Sequence, residues 1–81
     1  HILDEKIIME KVSNIFKVVF GDDTLIINSN SNSDNVIGWD SLNHIYLIVA
    51  IEKEFNIKFT TELIMTWKDV GAMVKHIAKN V

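Results

Sequence analysis

The chain has 81 residues, 48% hydrophobic and 23% charged, with no cysteine and a formal net charge of -3. This composition excludes a disulfide framework and a thiolate metal site, lacks the signature of disorder, and provides no basic face for nucleic acid. One domain over residues 1–81 is expected, near the size at which a lone hydrophobic core is only marginally sufficient. No apolar run reaches the roughly 18 to 20 residues that cross a bilayer, and no signal pattern opens the chain, so a cytoplasmic monomer is expected. His1 is consistent with a tag remnant.

The first periodic segment runs from about Asp4 to Phe20. Ile8, Val12, Ile15 and Val19, with Phe16 beside them, recur at helical spacing, while Glu5, Lys6, Glu10, Lys11, Asn14 and Lys17 fall elsewhere, which predicts an amphipathic helix. Asp4 suits its N-cap and Gly21 its left-handed end. From Gly21 to Gly38 the helical period disappears. Asp22-Asp23-Thr24 and the run Asn28 to Asn35 are turn formers, so a long loop is expected there, with Leu25, Ile26 and Ile27 pinning it to the core or forming a brief extended piece. The spacing of Asp22, Asp23, Asp34 and Asn35 is not that of a calcium loop.

A second helix is expected from Asp40 or Ser41 to about Phe55, capped by Asp40 and ended at Asn56. Thr60 to Met65 has room for only one or two turns. Thr66 is then expected to cap a last helix, paired with Asp69 three residues on, whose buried stripe is Val70, Met73, Val74, Ile77 and Val81. No strand alternation is long enough for a sheet, so the elements predict a small all-α bundle.

Within the second helix Leu47, Ile51 and Phe55, with Ile48 adjacent, form one line, and Leu42, Ile45 and Val49, with Tyr46 beside them, form another. So small a bundle cannot readily bury both. Either the helix is central and packed on both sides, or the second line is exposed beside Ser41 as a binding surface. Trp39 suits a staple that anchors the loop against the second helix more than a surface aromatic, and Trp67 suits the core.

Asp40-Ser41-Leu42 at the start of an apolar helix after a long polar loop, the ending Glu52-Lys53-Glu54-Phe55-Asn56-Ile57 and the later Trp67-Lys68-Asp69-Val70 together resemble the acyl carrier protein family. The resemblance extends from about Ile7 to Ile77. It implies a four-helix bundle of three main helices and one short one, with Ser41, between Asp40 and Leu42, as the attachment point of 4′-phosphopantetheine. It implies a carrier and not an enzyme. A phosphopantetheinyl transferase would load the arm from coenzyme A, and a ligase or acyltransferase would charge it. Synthases or transferases would then draw fatty acyl, amino acyl or polyketide intermediates from its thioester. Leu42, Ile45, Tyr46, Val49 and Glu52 would lie on the helix that partners recognise. Asn43, Tyr46 and Lys53 stand where relatives often carry carboxylates, which shifts recognition toward apolar contact.

Two other chemistries are open to the same residues. Ser41 and His44, one turn apart, could pair as nucleophile and base, but no nucleophile elbow, preceding strand or oxyanion hole accompanies them, and His44 is expected to be solvated. An apolar helix face could also serve a protein-interaction module that has no prosthetic group.

Overall fold

The computed structural model describes residues 4–60 and 67–81. Among the described residues there are three α-helices and no strand: α1 (Glu5–Phe20), α2 (Ser41–Phe55) and α3 (Val70–Asn80). Most of the short helix expected over 60–65, and the cap expected at Thr66, lie outside the described residues.

The ends of the first two helices are set by local chemistry. Asp4 caps α1 by accepting from the Ile7 N–H, and Gly21 ends it at φ 65, its N–H donating back to the Lys17 and Val18 carbonyls. Left-handed backbone is nearly free for glycine. Asp40 caps α2 through the Asn43 N–H, and Asn56, at φ 54, closes it by donating to the Glu52 carbonyl. Asparagine tolerates that conformation better than most residues with a Cβ. The last helix corrects the expectation for its start. Asp69 is itself the N-cap, accepting from the Ala72 N–H, and its extended backbone (φ -160, ψ 176) keeps the helix from beginning before Val70. Trp67 and Lys68 lie outside the helix, so it starts later than expected.

α1 packs against both α2 and α3. Its fully buried line is Ile8, Val12 and Phe16, with Ile15 and Val19 only partly covered. The buried line is therefore the centre of the expected stripe. Leu47, Ile51 and Phe55 come from α2, and Val70, Met73, Val74 and Ile77 from α3, to complete the core. Val81 packs at its edge.

The 20 residues between α1 and α2 are held by their own side chains. Asn32 and Asn35 accept from each other's backbone N–H, Asp34 N–H also donates to Asn32, and the Asn35 amide donates to the Asn30 carbonyl. Such side-chain turns explain how a polar stretch keeps one path without helix or sheet. Of the three apolar residues expected to anchor it, Ile27 is buried, Leu25 is partly covered and Ile26 is exposed. Val36 is a second buried anchor, next to an exposed Ile37. The loop also clasps α3: Val70 N–H donates to Ser31 O and Gly71 N–H to Ser29 O, both at 2.9 Å. Two amides that a helix leaves unpaired at its start are satisfied in this way.

Candidate functional site

The loop enters α2 through Gly38, Trp39 and Asp40. Gly38 has φ 91, a backbone that side chains rarely adopt, and its carbonyl accepts from the Asn43 side-chain amide at 2.7 Å. Asp40 receives the Asn43 N–H at 2.8 Å. Asn43 therefore binds back to two of the three residues that lead into the helix. Trp39 is half-buried, its ring edge-on to Phe16 at 5.1 Å and to Phe20 at 6.4 Å. It pins the end of the loop to α1, whereas the expected staple was against the second helix, which it meets only through His44.

Ser41 is the first residue of α2 and is exposed. Its hydroxyl takes part in no side-chain hydrogen bond among the described residues. The Asn43 amide is capped by Asp40, but the amides of Ser41 and Leu42 have no partner inside the helix, because a first turn cannot supply one. An accessible hydroxyl thus stands beside free N–H groups at the positive end of a helix dipole, a setting that favours a phosphodiester.

His44 is not the solvated residue expected. It is half-buried, its Nδ1 accepts the Trp39 indole N–H at 3.0 Å, and the two rings lie near parallel with centroids 6.0 Å apart. Burial holds its pKa below the ordinary histidine value. With Nδ1 occupied by Trp39 and no hydrogen bond to Ser41, the imidazole is not arranged as a base for a serine nucleophile.

The apolar residues of α2 divide as two lines. Leu47 and Ile51 are fully buried and Ile48 and Phe55 nearly so, whereas Leu42, Ile45, Tyr46 and Val49 are 57%, 59%, 54% and 49% exposed. These four begin one residue after Ser41 and continue along the helix. Glu52, the fifth residue expected on this face, is half-buried, and its carboxylate accepts the Phe59 N–H at 2.9 Å. It therefore holds the segment after α2. Lys53 and Glu54 are exposed at the same end, and Glu54 forms a 3.5 Å ion pair with Lys11 of α1. Trp67 is partly buried against Phe59, 5.0 Å away and edge-on, with His76 behind both. A cleft of about 780 Å³ lies elsewhere, between α1 and the start of α3. Lys6, Lys68 and Lys75 there are matched by Glu5, Glu10 and Asp69, and the helix amides of that wall already have partners, so chemistry favours the α2 site.

The geometry is thus a three-helix frame joined by a long loop, with an exposed serine at a helix start and an apolar stripe beside it. The family model described as "Phosphopantetheine attachment site" matches residues 10–77. The acyl carrier protein of Guillardia theta is 30% identical over 79 residues, covering 98% of this chain and 98% of that protein. The solution structure of the holo acyl carrier protein from Geobacter metallireducens superposes with a TM-score of 0.82 at 31% identity, covering 88% of this chain and 82% of that one. The chain belongs to the acyl carrier protein family. It is a carrier of acyl groups on a covalently attached 4′-phosphopantetheine.

Proposed function

We propose that Ser41 carries the arm and that Leu42, Ile45, Tyr46 and Val49 form the face that partner enzymes read. The observation that carries this reading is the exposure of that hydroxyl at the N-terminus of α2, next to a stripe left uncovered by a bundle already packed on Leu47 and Ile51. When bound, the arm supplies a terminal thiol that holds acyl groups as thioesters, a function the cysteine-free chain cannot provide itself. The residues of the chain present and hold it. The amides of Ser41 and Leu42, which have no partner inside the helix, would hold the phosphate of the arm, while Asp40 caps the Asn43 N–H. A separate phosphopantetheinyl transferase adds the arm from coenzyme A. A loading ligase or acyltransferase then charges it, and synthases or transferases draw on the cargo.

The partner face is unusual in its chemistry. Four exposed apolar side chains run along it, Asn43 and Lys53 flank it, and the Glu52 carboxylate is engaged within the chain. Affinity for enzymes is therefore expected to depend little on salt, since apolar burial is not screened. A carrier is distinguished from an interaction module without a prosthetic group by incubating the protein with coenzyme A and a promiscuous transferase and recording the intact mass. One phosphopantetheine adduct on the wild type and none on Ser41→Ala supports the proposal. An unmodified wild type, or an adduct that persists in the variant, rejects it.

A further inference from the structure

We propose that Trp39 and His44 form a latch that positions Ser41 for modification, closed by an indole N–H donating to a neutral imidazole and opened when that imidazole is protonated. This inference rests on Ser41 as the attachment site. The two latch residues bracket Ser41, two positions before it and three after. Indole can only donate, so the 3.0 Å contact requires a lone pair on His44 Nδ1 and places the imidazole hydrogen on Nε2. On its other side the indole is packed edge-on against Phe16 and Phe20. Trp39 thereby ties α1, through ring contact, to α2, through one polar bond. The ring cluster and the Asn43 bonds to Gly38 and Asp40 both hold the end of the loop that leads into the serine.

A protonated imidazole has no lone pair. The bond to Trp39 is then replaced by two donors facing each other, and the indole N–H is left unpaired in a half-buried site. The surroundings do little to offset the added charge. From α1 the cluster meets Phe16 and Phe20, both uncharged, and at the N-cap of α2 the Asp40 carboxylate already takes the Asn43 N–H through Oδ1. Among the described residues His44 has no ion-pair partner. Burial already disfavours the charged ring. Opening is therefore an acid-side event that frees the end of the loop and lets the first turn of α2 lose its fixed approach.

The test compares wild type with His44→Gln, whose amide oxygen keeps an acceptor that does not titrate. Rates of phosphopantetheine transfer to both proteins by one transferase are measured in competition, so that the pH dependence of the enzyme cancels in the ratio. The wild-type to variant ratio of kcat/KM is expected near one at about pH 7.5 and to fall about threefold to tenfold by about pH 5, the effect of losing one hydrogen bond near a histidine titration. Trp39→Phe, which keeps the ring packing and removes the donor, is expected to be slow at every pH. In the unmodified protein the indole N–H resonance of Trp39, assigned with that same variant, is expected to shift with pH in wild type and to stay still in His44→Gln. An indole signal that does not titrate, or one that titrates while the rate ratio stays flat, overturns the latch as a positioning device. Absence of any adduct on Ser41 in all three proteins refutes the attachment site and the positioning role with it. The indole titration still reports then whether the pair opens.

Discussion

At Gly71 the loop and α3 come closest. The Gly71 N–H donates to Ser29 O, and a Cβ added there would lie 3.0 Å from that same oxygen, 3.2 Å from Ser29 Cβ and 3.3 Å from the Asp69 carboxylate. Alanine is ordinarily the better helix residue by about 1 kcal/mol, but here the crowding falls on a backbone carbonyl and on the cap of the helix. Gly71→Ala is therefore expected to destabilise by about 1 kcal/mol, read from the denaturant midpoint. A stabilised variant would show that the clasp yields. This contact was not legible in the sequence, where Gly71 is one glycine inside a helical pattern and its need arises from Ser29, 42 positions away in the chain. Asp4, Gly21, Asp40 and Asn56, by contrast, were legible because a cap bonds to residues three or four positions away. The role of His44 was hidden for the same reason as that of Gly71: its partner's position depends on how Trp39 packs against α1.

Among the elements, α2 serves two masters, and substitutions separate them. Leu47 is fully buried between α1 and the rest of the core, so Leu47→Ala is expected to cost about 2 to 5 kcal/mol of stability. Leu42 and Val49 are about half exposed, and Leu42→Ala is expected to change stability by about 0.5 kcal/mol or less. On the partner side the order reverses. Leu42→Asp and Val49→Asp are expected to raise KM for the transferase about tenfold or more while leaving thermal unfolding nearly unchanged, because a charge would have to be desolvated at an apolar contact. Unchanged KM in both variants would remove the apolar face from recognition. The helical period alone supplied the two lines on α2, and the bundle's limited capacity supplied the inference that one stays exposed. Which segment clasps α3 was not recoverable from period, since the loop's bonds to Val70 and Gly71 are made by backbone carbonyls that any sequence carries.

At the scale of the molecule, two of the described groups have pKa values lowered in the fold: His44 by burial, and Asp22 by hydrogen bonds from the Thr24 hydroxyl and then the Thr24 N–H. In each case the unfolded chain binds the proton more readily, so stability is full above the unfolded pKa and declines as pH falls through the folded one. Loss is expected first below about pH 6.5 from His44, then again in the acid range from Asp22. His44→Gln is expected to abolish the first limb in urea titrations across pH, and a first limb that survives in the variant would place it on another group. The overall helical architecture was legible because three strongly patterned segments and one long turn-rich stretch leave few ways to close a core. The central claim concerns one atom, the Ser41 hydroxyl, among five serines at positions 13, 29, 31, 33 and 41. Its most direct test is fragment mass spectrometry of the protein after reaction with coenzyme A and a phosphopantetheinyl transferase, locating the adduct along the chain. Phosphopantetheine found on Ser41 alone is the predicted result, and an arm on Ser29, Ser31 or Ser33, or on no serine at all, would contradict it.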